Sequence, residues 1–210
     1  EWARRTFKRQ WWAGETISVA IGQGALAVTP LQLAYAIGGV VSGGILREPH
    51  LVFRDQLLVL GAEQEEETTR QFPLREATVD ALSQGMWGVV NEGGTGSGAH
   101  EVGLDIAGKT GTAQVVSMQL QESAKKSQYK SNAWFVGYSP STKPGIVVCA
   151  LVLQGDHSAV AVPVVRDVIK AYWARKAPRR PSQEPLQTQI RVMSELRHQP
   201  SAAGPAGGQE

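Results

Sequence analysis

The sequence is poor in the residues that staple or anchor small proteins. Its 210 residues hold one cysteine, Cys149, so no intrachain disulfide can form. That thiol lies inside the apolar run 146–153 and reads as a small core residue, which leaves the redox compartment open. No long unbroken apolar run is present. The best stretch, 25–41, is interrupted by Thr29, Pro30 and Gln32 and by glycines near its end, so it makes a poor membrane span. Excess charge of one sign is lacking as well: 21 Lys and Arg stand against 19 Asp and Glu. The basic residues gather near residues 4–9 and 175–180 instead of on one face, which argues against a nucleic-acid partner. The four histidines, His50, His100, His157 and His198, lack metal-ligand spacing and read as loop or surface residues. The acidic run Glu63, Glu65, Glu66 and Glu67 has no His or Asp beside it and reads as a solvated loop, so neither a metal nor a cofactor is expected. The first residues, Glu1-Trp2-Ala3, include no initiator Met and no charged-then-apolar leader. That start reads as an incomplete boundary, with any membrane anchor lying in sequence outside it.

What is present supports one domain of ordinary size, since 42% of the residues are apolar. Residues 29–43 read as a helix capped by Thr29, with Pro30 at the first helical position and Gly43-Gly44 as the stop. Leu31, Ala34, Tyr35 and Gly38 share one face of it. Residues 45–53 read as extended and 61–70 as loop. A second helix over 76–91 repeats Val79, Leu82, Met86, Val89 and Val90 at helical spacing. The glycine-rich segment 91–98 marks a tight loop. It lacks the Gly-Lys-Ser/Thr ending that would cradle a phosphate.

Three strands are expected at 103–116, 132–139 and 145–155, the last two joined as a hairpin through the turn 139–145. A closing helix over 160–176 turns Val164, Val165, Val168, Ile169 and Tyr172 inward. From Ala177 the chain is rich in Pro and Gly and reads as a disordered tail, with 186–197 near helical spacing. The expected division is therefore 1–176 and 177–210. Trp11 and Trp12 read as packing residues, and Trp134 as core or cleft wall.

The chemistry is concentrated in Gly108-Lys109-Thr110-Gly111-Thr112-Ala113-Gln114, at the head of an apolar strand. Lys-Thr-Gly is one of three motifs shared by penicillin-binding proteins and serine β-lactamases. Lys109 supplies a fixed positive charge facing nucleophile and substrate carboxylate. Thr110 offers a hydroxyl to the same carboxylate. Gly111 removes a side chain, so a peptide can approach the strand. The Thr112 N–H is an oxyanion donor, and the substrate lies along the strand as an added strand. Lys109 and Thr110 are thus the expected catalytic residues, with Gly111 and Thr112 binding substrate.

Further segments fit in order and spacing: Trp12-Ala13-Gly14-Glu15-Thr16-Ile17, Ile21-Gly22-Gln23-Gly24, Thr29-Pro30-Leu31-Gln32, the loop 91–98, and Ala133-Trp134-Phe135-Val136-Gly137-Tyr138. Over residues 11–175 the chain resembles the class B penicillin-binding proteins, most closely the penicillin-binding protein 2 type that serves cell elongation. That resemblance implies an α/β (α+β) transpeptidase fold, an antiparallel sheet packed by helices, here incomplete at its N-terminus. It implies D,D-transpeptidation: a serine takes the acyl group of a D-Ala-D-Ala stem peptide and passes it to a neighbouring amine. β-Lactams would acylate the same serine. It further implies residence at the extracytoplasmic face of the bacterial inner membrane (periplasm), and a membrane glycosyltransferase and other elongation proteins as partners through regions outside this chain.

One departure stands out. The family's nucleophile and Ser-x-Asn motifs precede Gly-Gln-Gly, and this sequence holds neither there. The strings Ser123-x-x-Lys126 and Ser127-x-x-Lys130 occur in a polar loop after the Lys-Thr-Gly strand and read as chance matches, so the chain alone is expected to be inert. The alternatives are a serine β-lactamase or β-lactam sensor, and a non-catalytic scaffold of the same fold. The strand at 145–155 is expected to leave an open apolar edge when the chain is isolated, favouring aggregation.

Overall fold

The computed structural model describes residues 1–51, 69–115 and 130–177. One compact unit spans Glu1–Trp173, and a second unit begins at Ala174. In chain order the elements are α1 (Trp2–Phe7), α2 (Ala13–Ala20), α3 (Pro30–Val41), β1 (Ile45–Arg47), β2 (Thr69–Gln71), α4 (Glu76–Asn91), β3 (Ala107–Ala113), β4 (Asn132–Ser139), β5 (Ile146–Val152) and α5 (Val162–Lys176), with short 3₁₀ turns at Ser97–Ala99 and Ser158–Val160. No helix among the described residues is long and apolar enough to cross a membrane.

The sheet that matters is antiparallel, in the order β3-β4-β5. Its register sets Lys109 opposite Val136, Thr110 opposite Phe135 and Gly111 opposite Trp134. Side chains alternate between the two faces of a strand, and both faces are covered. On one, Ala133, Phe135 and Ala150 meet Val162, Val165 and Ile169 of α5, together with Val90 and Ile106. On the other, Ala107 and Tyr138 meet Val41 of α3 and Met86 of α4. Each Val, Ile, Phe or Met side chain among them contributes about 2 kcal/mol by leaving water. The Phe135 ring lies across two facing glycines. A Cβ on Gly108 would stand 2.7 Å from that ring and one on Gly137 3.1 Å from it, so both positions must stay bare.

Helix α3 starts as its sequence dictates: Thr29 Oγ1 accepts from the Gln32 N–H at 3.2 Å, and Gln32 Oε1 accepts from the Thr29 N–H at 2.9 Å. This is a capping box, and it satisfies two N–H groups that the first turn would otherwise leave bare. At the other end Gly44 has φ +93. A Cβ there would lie 2.0 Å from the Phe72 carbonyl oxygen, which forces glycine where β1 meets the residues after β2.

Several expectations need correction. Val164 and Val168 are 48% and 45% exposed, while Val165 and Ile169 are fully buried. The helical period places 165 and 169 on the sheet side and turns 164 and 168 outward. Leu82 of α4 is likewise exposed at 44%. Trp11 and Trp12 are 40% and 63% exposed, so they are surface residues, not packed ones. Cys149 is half-buried instead of deep in the core, and burial pushes its thiol up to about 11. Thr69 and Arg70, expected as the end of a loop, belong with Gln71 to a strand that pairs with 45–47. Helices α1 and α2 had no counterpart in the sequence reading. The tail from 178 on, and most of the polar loop after β3, lie outside the described residues.

Candidate active site

The Lys-Thr-Gly segment occupies β3, which among the described residues is an outer strand of the sheet. In an antiparallel pair each residue either exchanges both backbone bonds with its partner or turns both groups away. The Thr112 carbonyl accepts from Gln23 Nε2 at 2.8 Å, and the Thr110 carbonyl accepts from Lys109 Nζ at 2.8 Å. Both carbonyls therefore face away from β4, and the N–H groups of Thr110 and Thr112 face the same way. The free edge of β3 thus presents backbone donors at 110 and 112.

Alternation sends the side chains of Lys109 and Thr110 to opposite faces of the sheet. They converge only at the edge, where the Lys109 stem curls back until its ammonium reaches the Thr110 carbonyl. Thr110 itself is held by Thr95, hydroxyl to hydroxyl at 2.7 Å. Gly111 has a packing reason to be bare as well, because a Cβ there would stand 3.3 Å from the Trp134 Cβ across the register.

The neighbouring elements fix this edge. Asn91, the last residue of α4, donates to the carbonyls of Trp87 (3.0 Å) and Ile106 (2.9 Å). His100 Nδ1 is hydrogen-bonded to Asn91 Oδ1 at 3.0 Å. The Gly96 N–H closes on the Val89 carbonyl at 3.0 Å. Together these bonds tie the glycine-rich loop to the entry of β3 and bring Thr95 onto Thr110. Just before the strand, Asp105 accepts from Trp87 Nε1 at 3.1 Å and from the N–H and hydroxyl of Ser141, both at 2.7 Å. That carboxylate joins α4, the head of β3 and the β4–β5 turn. Burial pushes the Tyr138 phenol up, and the nearby Asp105 charge adds to it; the buried hydroxyl meets no hydrogen-bond partner among the described residues.

All four expected site residues therefore lie on one strand edge. Sequence reasoning gave no role to Gln23 or Thr95, although both stood inside quoted motifs. The signal for Gln23 was a lone amide between two glycines, and for Thr95 a lone hydroxyl in a glycine-rich loop. The candidate nucleophiles Ser123 and Ser127 lie outside the described residues. Lys130, the end of the second Ser-x-x-Lys string, pairs with Asp156 at 3.8 Å. The described hollows lie elsewhere: a groove of about 650 Å³ between α3 and β5 includes Tyr35, Val147 and Tyr172.

An antiparallel sheet packed by helices on both faces, with the Lys-Thr-Gly strand along its edge, is the arrangement expected of a penicillin-binding transpeptidase fold. The chain belongs to the penicillin-binding-protein transpeptidase family, whose domain model matches residues 5–170. It is 35% identical over 189 residues to the peptidoglycan D,D-transpeptidase MrdA of Haemophilus influenzae, covering 85% of this chain and 29% of that protein. It is 34% identical to the Acinetobacter baumannii MrdA over 204 residues, 87% of this chain and 28% of that one. Among solved structures it is similar to Pseudomonas aeruginosa PBP2 in complex with WCK 5153, with TM-score 0.65 and 34% identity over 81% of this chain and 36% of that one. It is also similar to Helicobacter pylori PBP2 in its complex with MreC, with TM-score 0.63 and 28% identity over 82% of this chain and 30% of that one. The chain thus spans less than a third of the length of the curated relatives it matches.

Proposed function

We propose that the complete protein carrying this chain is a peptidoglycan D,D-transpeptidase that cross-links stem peptides during cell elongation and is acylated by β-lactams. The observation that carries this reading is the outer edge of β3, where the Lys109 ammonium reaches the Thr110 carbonyl, Thr95 holds the Thr110 hydroxyl, and the backbone of Thr112 faces outward. A stem peptide ending in D-Ala-D-Ala sets its terminal carboxylate against Lys109 and Thr110 and its scissile carbonyl against the Thr112 N–H. A serine supplied by the rest of the protein attacks that carbonyl, and the terminal D-Ala leaves with a proton. The acyl-enzyme is then taken by the amine of a second stem peptide. The Thr112 N–H meets the oxygen as it gains negative charge, the point at which fixed donors matter most. Gly111 keeps the strand bare beside the reacting peptide.

In this reading residues 1–176 are the C-terminal part of the transpeptidase domain and 177–210 a Pro- and Gly-rich tail. The complete protein stands at the extracytoplasmic face of the inner membrane, held by residues outside this chain. Its partners are a membrane glycosyltransferase and an elongation protein of the kind seen with the Helicobacter pylori relative. The test is labelling of the complete protein by a fluorescent penicillin. Stable covalent labelling is expected, and its absence, or rapid nitrocefin hydrolysis instead of a stable adduct, would remove the transpeptidase reading.

A further inference from the structure

Gln23 stands between Gly22 and Gly24, both at φ +75. Left-handed backbone on either side, together with bonds from the Gly22 N–H to the Val19 carbonyl (2.9 Å) and from the Gln23 N–H to the Ser18 carbonyl (2.8 Å), turns the chain sharply after α2. The Gln23 side chain leaves that turn and bonds the free edge of β3 twice. Its Nε2 donates to the Thr112 carbonyl at 2.8 Å, and its Oε1 accepts from the Gln114 N–H at 3.4 Å. Straddling Ala113 in this way is how one residue of a parallel strand bonds its neighbour. The amide fills the place that an added strand would take beside Ala113. A glutamine amide carries two N–H donors and two carbonyl lone pairs. One of each is spent on β3, and the other of each has no partner among the described residues.

We infer that Gln23 is a specificity-determining residue for the acyl donor, ending strand pairing after one substrate residue and binding the peptide unit that precedes it. This rests on the transpeptidase reading above. A peptide with its terminal carboxylate at Lys109 and Thr110 and its scissile carbonyl at Thr112 runs antiparallel to β3. Its next residue upstream then arrives beside Ala113, where the Gln23 amide stands. The ligand is thus an acylated tripeptide or longer, with a main-chain amide ahead of the terminal dipeptide. A donor that stops at the dipeptide gains nothing from Gln23.

The experiment follows D-Ala release by the complete protein from diacetyl-Lys-D-Ala-D-Ala and from acetyl-D-Ala-D-Ala. Wild type is expected to prefer the tripeptide by about tenfold in kcat/KM, the worth of one or two well-made hydrogen bonds. Gln23→Ala is expected to reduce that preference to about twofold, chiefly through KM. Gln23→Glu, which keeps the acceptors and loses the donor to Thr112, should do the same. A preference unchanged in both variants, or no preference in wild type, overturns the assignment. If neither variant folds, Gln23→Asn, whose amide is one carbon short of β3, takes their place and is expected to lower the preference in the same way. Wild type that takes no penicillin label and releases D-Ala from neither donor instead sinks the transpeptidase reading itself.

Discussion

The two outer strands of the sheet solve the same problem in opposite ways. Strand β3 reads Ala-Gly-Lys-Thr-Gly-Thr-Ala, and its outward carbonyls are met by side chains of the same molecule, Lys109 on Thr110 and Gln23 on Thr112, while its outward N–H groups at 110 and 112 stay open among the described residues. Strand β5 reads Ile-Val-Val-Cys-Ala-Leu-Val, only Ala150 in it is buried, and among the described residues no strand pairs with its outer edge. An edge that must admit a peptide has to be polar and small, with backbone donors left open to it. An apolar edge has the composition of an interior strand and invites another strand.

The sharpest way to break the comparison is at β3. In the complete protein Lys109→Ala is expected to slow penicillin acylation by about 10²–10³, the usual cost of losing one fixed charge or donor at a reacting centre. Stopped-flow or gel-based labelling reads the rate directly. Labelling at the wild-type rate would show that the ammonium merely caps the Thr110 carbonyl.

The next largest effect lies on β5. With its thiol pushed up to about 11, Cys149 holds on the order of a thousandth of its population as thiolate at pH 8, so alkylation should run roughly a hundredfold slower than for a free cysteine. Burial disfavours the charged form, so the rate should climb with pH well beyond the point where an ordinary thiol levels off. Mass spectrometry after timed iodoacetamide exposure at pH 8 and pH 10 measures it. Fast reaction at pH 8 would mean that the face of β5 is as open as its edge.

Smaller again is Thr110→Val in the complete protein. It removes the hydroxyl held by Thr95 at 2.7 Å and should cost about tenfold in acylation rate, the scale of one hydrogen bond to a charged group. Thr110→Ser restores the hydroxyl and is expected to recover most of the rate. If serine rescues no better than valine, the methyl group and not the hydroxyl is what β3 needs.

How much of this was legible in the sequence follows from how local each signal is. Helix α4 and strand β4 fell where the pattern put them, at Glu76–Asn91 and Asn132–Ser139, because repeated apolar spacing and alternation are local properties. The cap at Thr29 was equally local. Helix α2 was invisible because its eight residues are too few for an apolar spacing to repeat, and none of them is buried. Pairing of β2 with β1 joins three-residue strands far apart in sequence, and nothing near either one announces it. The β3 edge was legible through Lys-Thr-Gly, but the contact from Gln23 spans 89 residues to Thr112. No periodicity carries such a contact; only the glycines on either side hinted that the amide was being aimed.

The weakest expected effect tests β5 itself. The isolated 210-residue chain should associate through the outer edge of β5, and a charge placed there should oppose it. Leu151 is the position to use. Val148 and Val152 rest on the α5 core, whereas Leu151 belongs to neither buried cluster and lies opposite Trp134 in the register. A lysine there can lay its stem along the indole and lift its ammonium to water, so the substitution should cost the fold only about 1 kcal/mol. Leu151→Lys is therefore expected to raise the monomer fraction a few-fold at micromolar concentration, read by size-exclusion chromatography with light scattering. A wild-type chain that is already a clean monomer with a cooperative melt would show that an apolar outer strand can stand alone, and that the contrast with β3 is one of function, not of stability.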